Sequence, residues 1–133
     1  MVCGYNVTFQ RDTNLGKANN QTFVNIPFGK IRNKLQYLCR LYGLEYVEQE
    51  ESYTSKASYL DGDEIPVYNA DNLQKYEFSG KRVKRGLYMS KNGRLINADV
   101  NGAANILRKS KVVPQEGLYC RGKLGTPVRI RVA

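Results

Sequence analysis

Between residues 28 and 42 the apolar side chains recur at spacings of three and four: Phe28, Ile31, Leu35, Leu38 and Tyr42. That spacing predicts one face of an amphipathic helix. Pro27 suits its first turn and Gly43 its end. Lys30, Arg32, Lys34 and Arg40 fall off the stripe, so the stripe reads as core. The pattern then changes period. Leu44-Glu45-Tyr46-Val47-Glu48 alternates, which predicts a strand. It leads into the polar run Gln49-Glu50-Glu51-Ser52-Tyr53-Thr54-Ser55-Lys56.

The remaining chain is read the same way. Residues 1–6 predict a short strand, and residues 7–25, rich in Asn, Gln, Thr and Lys, a loop. Residues 57–73 read as an irregular acidic insert, a solvated turn around Asp61, Asp63 and Glu64. The spacing of those acids lacks the ligand pattern of a calcium loop. From 75 to 97 a lead-in strand is followed by a hairpin, whose turn signal is Asn92-Gly93 between Gly86-Leu87-Tyr88-Met89-Ser90 and Arg94-Leu95-Ile96. A second helix begins near Asp99, with Val100, Ala103, Ala104 and Leu107 facing inward and Lys109, Ser110 and Lys111 closing it. Residues 112–133 are basic and punctuated by Pro and Gly, which predicts a tail of low order. A helix–Gly–strand unit with a polar strand end points to an α/β fold. Ligand groups in such folds gather at strand ends.

Charge sharpens this picture. The net value is +9 over 133 residues, but it is unevenly spread. Residues 1–73 hold 7 basic and 9 acidic residues, whereas residues 74–133 hold 14 basic and 3 acidic ones, a local net of +11. A basic half of this kind attracts polyanions, since each phosphate contact releases counterions. Ten Tyr and four Phe could supply stacking surfaces. Lys81, Arg82, Lys84 and Arg85 cluster just before the hairpin and suit a nucleic-acid path; a solvated edge strand is the plain alternative. No apolar run reaches the roughly 18–20 residues of a membrane span. No membrane partner and a cytoplasmic, nucleoid-associated location are the expectation. Cys3, Cys39 and Cys120 form neither a disulfide framework nor a Cys-x-x-Cys knuckle.

With no His in the chain, neither a His base nor a His metal ligand is possible. All-carboxylate metal chemistry is then the natural enzymatic reading. Mg²⁺ prefers carboxylate oxygens and water. Two such ions can activate a water and stabilise the leaving oxygen in phosphodiester cleavage. Asp99 near a helix start and Glu50 and Glu51 after a strand are the candidates. The plain alternative is a helix cap at Asp99 and a solvated strand end at Glu50 and Glu51.

The run Glu50-Glu51-Ser52-Tyr53-Thr54-Ser55-Lys56, followed by Asn97-Ala98-Asp99-Val100-Asn101-Gly102-Ala103-Ala104-Asn105-Ile106, resembles the C-terminal nuclease region of TnpB (OrfB) proteins. These insertion-sequence proteins are related to type V CRISPR effectors and to Fanzor proteins. Asn14-Leu15-Gly16-Lys17, Asn19-Asn20-Gln21 and Ile26-Pro27-Phe28 resemble a subgroup of them, so the similarity runs over roughly residues 2–110. The resemblance implies a partial RNase H-like (RuvC) fold over residues 1–111, with a mixed sheet. Residues 57–97 would form an insert and hairpin in place of a zinc ribbon, ahead of the 112–133 tail. It implies Mg²⁺-dependent cleavage of DNA, guided by RNA in full-length relatives. Asp99 matches the third-motif aspartate, and Glu51, with Glu50 as fallback, a displaced second-motif glutamate. Lys56, Lys81, Arg82, Lys84 and Arg85 would contact nucleic-acid backbone.

The chain also departs from the family pattern. The first-motif aspartate would lie on a strand upstream of Met1, and no Cys stands between Cys39 and Cys120 to hold a structural zinc. The expectation is therefore a C-terminal fragment of a transposon-associated endonuclease that cuts little or nothing by itself. The alternatives are a non-enzymatic DNA- or RNA-binding module, and a subunit completed in trans by a separate N-terminal chain.

Overall fold

The computed structural model describes residues 1–6, 27–69 and 75–114. The predicted loop at 7–25, and the predicted tail beyond residue 114, lie outside the described residues. The chain divides into two compact units, Met1–Glu51 and Ser52–Ala133.

The first unit is a parallel strand pair joined through a helix. Strand β1 (Val2–Tyr5) pairs with β2 (Val47–Glu50), Val2 opposite Val47 and Tyr5 opposite Glu50. Parallel neighbours need a crossover connection, and α1 (Phe28–Leu41) lies in it. Tyr42 N–H donates to the Leu38 carbonyl, and Gly43 leaves the helix with φ 66°, a conformation that suits a residue without Cβ. Phe28, Leu35 and Leu38 of the predicted stripe are half-buried, but the packed face turns toward Arg32 and Cys39. Cys39 is the buried residue of α1, while Ile31 is 44% exposed and Tyr42 also lies in solvent. Arg32, off the predicted stripe, reaches Glu48 at 3.4 Å and lies 5.8 Å above the Tyr5 ring. The strand also starts later than the alternation suggests. Leu44 is exposed, and β2 runs to Glu50, so Glu50 is the strand's last residue rather than one beyond it.

The second unit packs α2 (Ala98–Ser110) and a run of turns with a three-stranded antiparallel sheet, β3 (Lys81–Lys84), β4 (Leu87–Met89) and β5 (Leu95–Asn97), in that order. The hairpin falls where Asn92-Gly93 predicts it. Gly93 has φ 77°, and its N–H donates to the Ser90 carbonyl. Parallel and antiparallel pairing are both present, each in its own sheet.

The apolar core of this unit is small. Tyr59 and Ala104 form one cluster, Tyr88, Ile96 and Ala98 a second, and Leu60 packs against both. Gly80 makes room for Tyr88: a Cβ there would stand 2.5 Å from the ring and 2.6 Å from the Met89 carbonyl oxygen. The Tyr88 hydroxyl donates to the Lys56 carbonyl at 2.7 Å. Burial, then the negative charges of Asp63 and Asp61, push its pKa up to about 12.

The start of the acidic insert, residues 57–63, is not a solvated turn, whereas residues 67–69 are exposed. Ala57, Ser58 and Tyr59 are buried, and two carboxylates tie the turns together. Asp63 Oδ2 accepts from Ser58 N–H at 2.8 Å and Ser79 N–H at 3.0 Å. Asp61 Oδ2 accepts from the Ser58 hydroxyl and from Lys91 N–H at 2.9 Å, joining the insert to the hairpin turn. Backbone N–H groups withdrawn from water need acceptors, and these acids supply them. Glu64 stays exposed.

Candidate functional site

Asp99 stands at the second position of α2, directly after β5. The helix cap is Asn97, whose Oδ1 accepts from Asp99 N–H at 2.8 Å and Val100 N–H at 3.1 Å. The alternative that made Asp99 the cap therefore passes to Asn97. The Asp99 side chain is exposed in the first turn, where the helix dipole favours a negative charge. Its carboxylate is not consumed by capping.

Glu50 and Glu51 sit at the carboxyl end of the parallel pair, and Glu51 N–H donates to the Tyr5 carbonyl at 3.0 Å. This is the strand end at which open α/β sheets place ligand groups. Glu51 is half-buried. Burial first, and then the neighbouring negative charge of Glu50, raise its pKa above the ordinary carboxylate range. The first unit thus carries two adjacent acids and the second carries Asp99. Among the described residues no three His, Cys, Asp or Glu side chains gather as a metal cluster.

The buried face of α2 is largely polar, and the pattern of apolar residues missed it. Asn101, Asn105 and Arg108 recur at spacings of four and three and are all buried. Asn101 Oδ1 accepts from Tyr59 N–H at 3.0 Å, and its Nδ2 donates to the Ala57 carbonyl at 2.8 Å. Asn105 Nδ2 donates to the carbonyls of Thr54 at 2.9 Å and Ala57 at 2.7 Å. Arg108 donates to the Asp63 carbonyl and lies 5.9 Å over the Tyr59 ring. Lys109 Nζ reaches the carbonyls of Ser52 at 3.1 Å and Pro66 at 3.2 Å. The helix that presents Asp99 therefore holds the irregular segment after Glu51 by its main chain. Ala103, expected inside, is exposed, because the packing face lies along 101, 105 and 108. The available signal was amides at helical spacing in a motif that needs no amide for solubility.

Lys56, Lys81, Arg82, Lys84 and Arg85 are all exposed. A register shift between Arg82 and Lys84 alters the strand's alternation. Lys81 pairs with Met89 and Lys84 with Leu87, so both lysines share the sheet's outer face with exposed Leu95 and Asn97. Arg82 pairs with Tyr88 and belongs to the opposite face. Without the bulge, an odd spacing would put the two lysines on opposite faces. No helix among the described residues is long and apolar enough to cross a membrane.

The outer sheet face is thus basic at Lys81 and Lys84, and Asp99 is exposed on the first turn of α2. The model of the Cas12f1-like TNB domain matches residues 28–106, more than half of the chain and a stretch that includes Glu50, Glu51 and Asp99. The chain belongs to this Cas12f1-like family, which places it among TnpB/Cas12-related nuclease proteins. Comparison with curated proteins and with solved structures gives no match.

Proposed function

We propose that this chain is the C-terminal part of a RuvC-like, Mg²⁺-dependent DNA endonuclease of the transposon-associated TnpB type, and that it is incomplete alone. The observation that carries the reading is the family match across residues 28–106, with Asp99 exposed on a helix whose cap is already supplied by Asn97. Asp99 and Glu51 are the ligands in this reading, with Glu50 as the alternate. Their hard oxygen donors fit Mg²⁺ better than a thiophilic ion. The metal would supply an activated water and charge stabilisation at the phosphate. The chain's own part is to hold the carboxylates and to bind backbone through Lys56, Lys81, Arg82, Lys84 and Arg85. Two acids hold a metal pair poorly, so a further strand bearing an aspartate, from upstream or from a separate chain, completes the site. A guide RNA belongs to that complete assembly.

The test is plasmid nicking in Mg²⁺. The chain alone is expected to leave supercoiled DNA intact, and supplying the missing aspartate-bearing segment to give cleavage that Asp99→Ala and Glu51→Gln abolish. Nicking by the chain alone that Asp99→Ala abolishes would overturn the claim of incompleteness. Restored cleavage indifferent to both substitutions would overturn the ligand assignment.

A second reading has its own support in the paired Lys81 and Lys84 on one sheet face. It is a metal-independent DNA- or RNA-binding module whose acids are remnants. Steeply salt-sensitive binding that Asp99→Asn and Glu51→Gln leave unchanged, with no cleavage in any combination, would favour it.

A further inference from the structure

Three aromatic rings meet in the second unit, outside both apolar clusters. Tyr53 and Tyr76 lie edge-to-face with centroids 5.1 Å apart, and Phe78 tilts against Tyr53 at 6.3 Å. Tyr76 is 38% exposed, while Tyr53 and Phe78 are half-buried. Tyr53 has φ 65°, a left-handed conformation that is strained for a bulky residue with a Cβ. Such strain persists only where the surroundings over-determine it. Here they do. The Tyr53 carbonyl accepts from Lys56 N–H at 3.0 Å and Ala57 N–H at 2.9 Å. The carbonyls on either side, of Ser52 and Thr54, are held by Lys109 and Asn105. The turn thus fixes a ring against Tyr76 at the expense of backbone comfort. Cations stand close by along the chain: Lys75 directly precedes Tyr76, Lys56 closes the Tyr53 turn, and the Lys109 ammonium reaches Ser52.

We propose that Tyr76, backed by Tyr53 and Phe78, is a stacking platform for an unpaired base of a single-stranded polynucleotide, with Lys56 and Lys75 meeting the adjoining phosphates. An exposed ring offers a π-face, and a base stacks on it whatever its identity. The nearby cations and the +11 balance of residues 74–133 favour a polyanion over a neutral apolar partner. A base paired within a duplex has no free face to offer, so the platform selects single strands. The inference rests on the reading of the chain as a nucleic-acid domain, but it needs neither metal nor cleavage.

The test uses the full chain in EDTA, with dye-labelled poly-dT, poly-rU and a duplex of about 20 nucleotides each, read by fluorescence anisotropy. Tyr76→Leu keeps an apolar side chain and removes the ring. It is expected to weaken single-strand binding roughly ten-fold. Duplex affinity and the salt slope should hold, because no charge has changed. Tyr76→Phe should bind as the parent does. Loss on both single strands supports a platform that reads the base face alone; loss on one supports it with selectivity for the thymine methyl or the sugar. Photo-cross-linking from 5-bromouracil should place adducts on Tyr76, Tyr53 or Phe78. Unchanged affinity of Tyr76→Leu for both single strands, an equal loss on duplex, or no single-strand binding by the parent chain overturns the proposal. Because metal is excluded, failure of the nuclease reading leaves this outcome separately decided.

Discussion

Helices α1 and α2 are nearly equal in length, at 14 and 13 residues, yet they hold their units together by different means. Helix α1 carries the stronger apolar periodicity and buries one residue, Cys39; Leu41 at its end is 61% exposed. Helix α2 buries five residues, and three of them, Asn101, Asn105 and Arg108, are polar. The difference follows from the segments around them. Helix α1 lies in the crossover between regular strands whose main-chain groups already pair with each other. Helix α2 faces irregular turns between residues 52 and 66, whose carbonyls have no ladder to join. Burying those carbonyls requires donors, and amide side chains on a helix supply them at fixed spacing. An amide row therefore does in the second unit what an apolar stripe does in an ordinary helix.

The largest expected effect breaks that row. Asn105→Ala removes the amide donor to the Thr54 carbonyl and leaves the Ala57 carbonyl with Asn101 as its side-chain donor, and should cost about 1–3 kcal/mol in chemical denaturation of the full chain. The matching change on α1, Leu41→Ser, should stay within about 0.5 kcal/mol. Equal costs for the two would mean that the helices are not held differently. Next comes Gly80→Ala, which drives a methyl into the Tyr88 ring and the Met89 carbonyl. A loss of roughly 1–3 kcal/mol is expected, seen as a lower Tm, and an unchanged Tm would show that β3 can move aside. Asn97→Ala removes the α2 cap and should cost about 1 kcal/mol, whereas Asn97→Asp should retain most of it.

The smallest effect concerns Glu51 in the first unit. Its folded pKa is raised, so the folded state is favoured where the acid is protonated. That contribution is present at acid pH and is lost as pH rises through the raised pKa. Glu51→Gln should therefore raise Tm modestly at neutral pH, and its advantage should fade toward about pH 4. A variant less stable than the parent at neutral pH would show that the carboxylate supports the fold.

Much of this was legible in the chain. The 3–4 spacing located α1, Asn92-Gly93 located the hairpin, and the Asp99 motif located α2, because local geometry sets those periods. The motif pair also pointed to the wider TnpB/Cas12-related group that the match over residues 28–106 supports. The charge imbalance marked the basic half, since it depends on composition alone.

Tertiary structure decided the rest. Which face of α1 is buried, why Ile31 and Tyr42 lie in solvent, and that Asp61 and Asp63 tie turns together all depend on what packs beside them. Asp99 is the clearest case. By sequence it was either a cap or a ligand candidate. The structure gave the cap to Asn97 and left the aspartate exposed on a helix locked by Asn101 and Asn105. Periodicity registers apolar spacing, but a polar side chain earns its role from the backbone group it meets, and that meeting exists only in the folded chain.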